Sequence, residues 1–294
     1  MKKVSQKSVI IKMIESEKST NPLTFHNRKQ IMMSAAKANT NERYRYNMIK
    51  NFAHRGFSGK YPENTLLAFK KACETPGCDG IELDVHLTKD GECVICHDET
   101  LDRVCNNATG YLKDYTLEEL KAFDVSYVYR EAYGPQQIPS LREYFELVKD
   151  YNIITNIELK TDENEYLGIE QKVIDLIEEY NMKEKVIISS FNHYTIQRIK
   201  ALCPEMSCGL LSNTWILNPG EYTKRAGAEY YHPCHQSVNA DMAVEMKENG
   251  IEINAWTADR EEDIERLMEL GVNAVISNYP DLVTKIRAKL FKGK

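Results

Sequence analysis

From residue 50 onward the chain alternates between two hydrophobic periods. Short strand-like runs, alternating or continuously apolar, fall at 51–55, 80–87, 153–160, 186–191, 207–211, 228–232, 251–257 and 273–277. Helix-like patterns lie between them, near 64–75, 140–151, 166–180, 192–202, 219–226, 239–249 and 259–270, with a closing helix near 281–290. Strands alternating with helices of this size imply parallel βαβ units. Eight of each predict an α/β fold of the (β/α)8 TIM-barrel type.

One strand-like run, 93–97, breaks the count. Only the five residues from Thr88 to Glu92 separate it from Leu87, far short of the dozen or so that a parallel crossover needs. The Lys89-Asp90-Gly91 tip instead signals an antiparallel hairpin. The second strand is therefore expected to overshoot the barrel rim and fold back, returning His97 to the mouth. Residues 98–139 then form a small insertion after the second barrel strand. Within it, Thr116 with Glu119 three positions on marks the start of a short helix.

Residues 1–47 keep no sustained period and are rich in Ser, Asn and Lys. They read as a basic, flexible extension to a barrel spanning 48–294, with short amphipathic turns at 9–14 and 30–37. Met48, just ahead of the first strand, is an alternative start that leaves close to the ~250 residues usual for this architecture.

The polar residues collect where such a barrel does its chemistry, at the carboxyl ends of strands. Glu82 and Asp84 are two apart and so share one face of a strand, with Leu83 and Val85 on the other. Asn156, Glu158 and Lys160 alternate in the same way with Ile157 and Leu159, and Asn254 and Trp256 with Ile253 and Ala255. Carboxylates pointing into a barrel are costly unless they bind something. Glu82, Asp84 and Glu158 together call for a cation, and hard oxygen donors favour Mg²⁺ or Ca²⁺ over zinc. His54 and Arg55 end the first strand, and His97 ends the hairpin. Arg suits bidentate grip on a phosphate and His suits proton transfer near neutral pH. Two imidazoles, Arg55, Lys160 and a divalent cation around one pocket fit phosphodiester cleavage by paired acid and base.

Composition narrows this only at the margins. The net charge of −6 divides unevenly. Residues 1–50 carry eleven Lys/Arg against three Glu, leaving 27 basic and 41 acidic residues beyond them. An acidic body argues against nucleic acid as a partner. Cys93-Val94-Ile95-Cys96 has C-x-x-C spacing, but a strand points positions i and i+3 to opposite faces, and no second pair completes a zinc site. These are read as small buried residues. No run approaches the ~20 apolar residues of a membrane span, and Lys12 and Glu15 interrupt Val9-Ile10-Ile11, too short for a signal-peptide core. Cytoplasmic residence with reduced thiols follows as the expectation.

Residues 50–285 resemble the glycerophosphodiester phosphodiesterases. The matching pieces are His54-Arg55-Gly56, Pro62-Glu63-Asn64-Thr65, Glu82-Leu83-Asp84-Val85 with Thr88 and Asp90, His97-Asp98 with Thr100-Leu101-Asp102-Arg103, Ile138-Pro139, Glu158-Leu159-Lys160, Ser190-Phe191, Trp256-Thr257 and Tyr279-Pro280. The resemblance implies a barrel with an insertion after its second strand and a hydrolase that releases sn-glycerol 3-phosphate and an alcohol from deacylated phospholipids. It implies Glu82, Asp84 and Glu158 as metal ligands, His54 and His97 in acid–base work, and Arg55 on the phosphate. One departure stands at Ser277-Asn278, where the family commonly has Thr-Asp, which weakens any role for an acidic residue there.

Other residues carry lesser expectations. Trp256 is placed as a substrate wall, Asn64 as the N-cap of the first helix with Glu63 supporting the site, and His232 and His235 as lining the rim. His86 is left out of the site, and His26 and His193 are expected to face solvent or cap helices. Two other function classes remain open on sequence alone. One is a lysophospholipid- or phosphoinositide-cleaving enzyme whose basic N-terminus contacts a membrane. The other is a silent phosphodiester-binding protein.

Overall fold

The computed structural model describes residues 46, 48–105 and 107–292; the expectations for the turns at 9–14 and 30–37 and for His26 lie outside them. Among the described residues, eight parallel strands close into a barrel: β1 (Lys50–His54), β2 (Gly80–Leu87), β4 (Ile154–Leu159), β5 (Val186–Ser190), β6 (Cys208–Ser212), β7 (Tyr230–Pro233), β8 (Glu252–Ala255) and β9 (Ala274–Ser277). They pair in chain order, and β1 closes the ring on both β9 and β2. The ninth strand, β3 (Cys93–Ile95), pairs antiparallel with the far end of β2 through Val85↔Ile95 and Leu87↔Cys93. This is the hairpin that the short 88–92 connection requires.

Helices follow the barrel strands and cover their outer faces, and local chemistry starts them. Ser140 and Glu143 form a capping box at Leu141–Val148, as Thr116 and Glu119 do at Leu117–Lys121. Asn192 and Asn239 cap His193–Leu202 and Ala240–Asn249 through their side chains. The first helix, Leu66–Cys73, corrects one expectation: its N-cap is Thr65, whose hydroxyl accepts from the Ala68 N–H, while Asn64 is in the left-handed region at φ +54°.

Three apolar clusters divide the work. The largest lies between strands and helices and includes Leu83, Val85, Ile157 and Leu159, the outward positions of β2 and β4. A smaller one fills the barrel interior around Phe52, Ile187, Ala274 and Ile276. The third, with Leu101, Leu112, Leu120 and Ile138, gives the segment after β3 its own core. Cys93 and Cys96 belong to different clusters, and neither forms a disulfide. Phe69 of the first helix is fully buried and meets the Tyr144 ring edge-on at 4.9 Å. Phe69→Ala is expected to cost about 3–5 kcal/mol, because it leaves a cavity as well as losing apolar burial. Denaturant unfolding should show the midpoint falling accordingly; a loss below about 1 kcal/mol would mean that this layer collapses around the gap.

Candidate active site

Parallel register sets the side chains of the barrel mouth. His54 pairs with Glu82, Glu82 with Asn156, and Asp84 with Glu158. Positions level in a parallel ladder point the same way, so His54, Glu82, Asp84, Asn156 and Glu158 all face inward. Glu82, Asp84 and Glu158 are buried, and one carboxylate oxygen from each lies within 4.8 Å of the others. Glu82 and Glu158 line a cavity of about 150 Å³ with His54, Arg55 and His97, and Asp84 lies beside them in the carboxylate cluster. Phe191, Leu211, Trp256 and Ile276 line the rest, together with the side chain of Asn156.

The chain passes from β1 into the first helix through a backbone shape that fixes the site. Arg55 has φ +53° and its N–H donates to Glu82 Oε2 at 3.0 Å. Gly56 follows at φ +75°, where a Cβ would come within 2.7 Å of the Ala68 carbonyl carbon. Glycine is therefore required there, which gives His54-Arg55-Gly56 a steric reason. Asn64, freed from capping, donates from Nδ2 to Asp84 Oδ2 at 2.9 Å. It orients a carboxylate rather than a helix.

Electrostatics split the three carboxylates. Burial, and the charges of Asp84 and Glu158 beside it, push the Glu82 carboxyl well above its usual range. Burial and Asp84 raise Glu158 to about 7, although Lys160 Nζ donates to Glu158 Oε1 at 3.0 Å. For Asp84 burial also acts upward, but the charges of His97, Arg55 and Lys160 outweigh it and the net shift is downward. Three buried oxygen donors that resist carrying charge together fit a hard divalent cation, which would relieve their repulsion.

Each imidazole has a different support. His54 Nδ1 lies 2.7 Å from Asn278 Oδ1, and Asn278 Nδ2 donates to Asp259 Oδ2 at 2.6 Å. The second bond fixes which way the amide points, so Nδ1 of His54 carries the proton and Nε2 is the free nitrogen, 3.9 Å from Glu82 Oε2. Burial, then the neighbouring Arg55, lowers the His54 pKa to about 4. His97 Nδ1 instead meets a carboxylate, Asp98 Oδ1, at 2.5 Å. Arg103 holds Asp98 through Nε at 2.6 Å and reaches Glu63 through Nη2 at 2.7 Å, and Glu63 accepts from Arg55 Nη1 at 3.0 Å. A continuous chain of charges thus joins the end of β1 to the end of the hairpin. Removing the support of His54 gives a measurable effect. Asn278→Ala leaves the ring proton unpaired, roughly 1–3 kcal/mol or about 5- to 150-fold in kcat, with a smaller change in KM. An unaltered kcat would mean that the ring keeps its orientation without the amide.

Several expectations need correction. His232 does not line the rim: it is fully buried inside the barrel, where its Nε2 lies 3.0 Å from Asn254 Nδ2. Gly209 on the neighbouring strand makes room for the ring, since a Cβ there would stand 2.5 Å from Nε2. His193 is half-buried and does not cap its helix; its ring bridges Tyr222 Oη and the Leu211 carbonyl. His86 sits behind the site, its Nδ1 3.1 Å from Tyr166 Oη and its Nε2 3.4 Å from the His97 carbonyl. The acidic group near the end of β9 is not at 278 but comes from Asp259, after the neighbouring strand β8. Trp256 does line the cavity, meeting Phe191 edge-on at 5.6 Å and donating from Nε1 to the His232 carbonyl.

Comparison with known proteins adds an independent line. The profile of the glycerophosphoryl diester phosphodiesterase family matches residues 54–282. A glycerophosphodiester phosphodiesterase of Caldanaerobacter subterraneus is 44% identical over 237 residues, covering 81% of this chain and 97% of its own. One of Bacillus altitudinis is 40% identical, covering 83% and 100%. Among solved structures, an Oleispira antarctica phosphodiesterase in complex with the product sn-glycerol-3-phosphate superimposes with a TM-score of 0.73 at 29% identity, covering 82% of this chain and 97% of that one.

Proposed function

Because the chain belongs to the glycerophosphoryl diester phosphodiesterase family, and is thereby a phosphoric diester hydrolase, we propose that it cleaves glycerophosphodiesters to sn-glycerol 3-phosphate and an alcohol in a reaction that depends on a divalent cation. The observation that carries this reading is a cluster of three buried carboxylates beside two imidazoles, with Glu82, Glu158, His54 and His97 lining one cavity. The related Oleispira phosphodiesterase holds sn-glycerol-3-phosphate as its product, which supports the same product here.

Glu82, Asp84 and Glu158 would hold the cation, and their hard oxygen donors suit Mg²⁺ or Ca²⁺. When bound, it supplies charge neutralisation to the phosphate oxygens. Arg55, at the cavity edge, grips the phosphate, and Lys160 adds positive charge beside Glu158. His54 accepts a proton from the attacking oxygen, either water or the substrate's own 2-hydroxyl. Its Nδ1 is already committed to Asn278, so the proton arrives at Nε2. That oxygen bonds to phosphorus as the bond to the leaving alcohol breaks, and His97 gives its proton to the departing alkoxide. Where the 2-hydroxyl attacks, water then adds to the resulting cyclic phosphate and breaks its bond to the 2-oxygen, giving sn-glycerol 3-phosphate. Asp98, against His97 Nδ1, stabilises the charge of the ring while it carries that proton.

The direct test is incubation of the purified chain with glycerophosphocholine and Mg²⁺ or Ca²⁺, following sn-glycerol 3-phosphate and choline. Release of both supports the reading. Cation binding without turnover would overturn it.

A further inference from the structure

One polar atom in the cavity takes no part in the chemistry above. Asn156 is only 1% exposed, and its Oδ1 has no hydrogen-bond partner among the described residues. It lies on the strand of Glu158, one inward position deeper, and its side chain reaches the cavity wall where Leu211 and Ile276 also lie. A buried carbonyl oxygen left unpaired costs free energy, and a native fold keeps one where something else will donate to it. An amide oxygen only accepts, so the missing partner is a donor. Both alcohols of a glycerophosphodiester are esterified to phosphorus, but glycerol is the half common to all such substrates, and it carries free hydroxyl donors. Its terminal hydroxyl, the donor farthest from phosphorus, is the one that suits an acceptor set one inward position deeper than Glu158.

We propose that Asn156 is the specificity-determining residue for glycerol, its Oδ1 accepting a hydrogen bond from the terminal hydroxyl of the glycerol moiety. This rests on the phosphodiesterase reading above. Of the other buried unpaired groups around the barrel mouth, Ser189 Oγ and His232 Nδ1 belong to residues that do not line the cavity. Arg55 Nε does belong to a lining residue, but it is a donor, 3.7 Å from Asp84 Oδ2, and so leaves Asn156 Oδ1 as the unpaired acceptor there. A site built around an acceptor rejects an analogue that lacks the matching hydroxyl, because the acceptor then stays buried and unpaired.

The experiment compares kcat/KM for glycerophosphocholine with that for the same diester built on propane-1,2-diol. The analogue lacks the terminal hydroxyl but keeps the 2-hydroxyl, so a possible internal nucleophile is preserved. The full chain is assayed with Mg²⁺ present. The wild type is expected to prefer the glycerol substrate by about 10- to 100-fold. In Asn156→Leu, close in shape, and in Asn156→Ala as a second variant, that preference is expected to collapse to within about threefold. Mn²⁺ titration of each variant reports the carboxylate site separately and is expected to give wild-type affinity. A preference that persists in both variants overturns the proposal. So does a variant that loses Mn²⁺, since Asn156 would then serve the cation. Equal cleavage of both substrates by the wild type removes the role of Asn156 and leaves the phosphodiesterase reading standing. Cleavage of neither removes both.

Discussion

Treating the enzyme with EDTA is expected to abolish release of sn-glycerol 3-phosphate, and added Mg²⁺ or Ca²⁺ to restore it. The expectation follows from what the three carboxylates cannot do alone. Burial and mutual repulsion leave Glu82 and Glu158 with raised pKa values, that of Glu158 at about 7. The cation-free site therefore holds protons near neutral pH, and a cation has to displace them. Binding releases protons, so affinity weakens as the pH falls through about 7 and strengthens as it rises. Each displaced proton makes the dependence about tenfold per pH unit below that pKa. Calorimetric titration at pH 6 and pH 8 should therefore show clearly tighter binding at the higher pH. Glu158→Gln removes one anionic ligand and the charge facing Lys160, so it should weaken cation binding and lower activity together. Full turnover in EDTA would end the metal-dependent reading, and pH-independent affinity would remove these carboxylates from the site.

Much of this was legible in the chain because parity in a strand is a hard constraint. Glu82 and Asp84 on one strand and Glu158 on the next share a face by period two alone, and the structure brings them within 4.8 Å. The return of His97 was forced by a connection too short for a crossover. What sequence could not supply were contacts whose two ends lie far apart in the chain. Asn64 and Thr65 are both good capping residues, and local rules cannot choose between them; the choice follows from Asp84, which takes the Asn64 amide. His232 reads as a rim residue because the strand-like run 228–232 ends on it, yet β7 runs on through Pro233 and keeps the imidazole inside. The partnership of Asn278 with Asp259 links the ends of β9 and β8 and has no local signature. Its only trace was the missing acid at 278.

The two imidazoles should separate when the leaving group is changed. Either His54→Ala or His97→Ala is expected to lower kcat on glycerophosphocholine by about 10²–10⁴-fold, the usual span for a general acid or base. Their combined loss should fall short of the product of the two, since residues that act in one step are not additive. The supports of the rings predict the difference between them. His54 is buried and held against a neutral amide, its pKa lowered to about 4, so at neutral pH it is ready to receive a proton. His97 rests on the Asp98 carboxylate, which favours the ring while it carries one. A p-nitrophenyl ester of sn-glycerol 3-phosphate departs as a stable phenolate and needs no proton. On that substrate His97→Ala should recover most of its lost rate, whereas His54→Ala should remain impaired, because the attacking oxygen still has to lose its proton. Mn²⁺ titration and circular dichroism of both variants exclude loss of the cation site or of the fold. Recovery in His54→Ala instead would exchange the two roles, and near-full activity of both variants on glycerophosphocholine would remove the imidazoles from the chemistry.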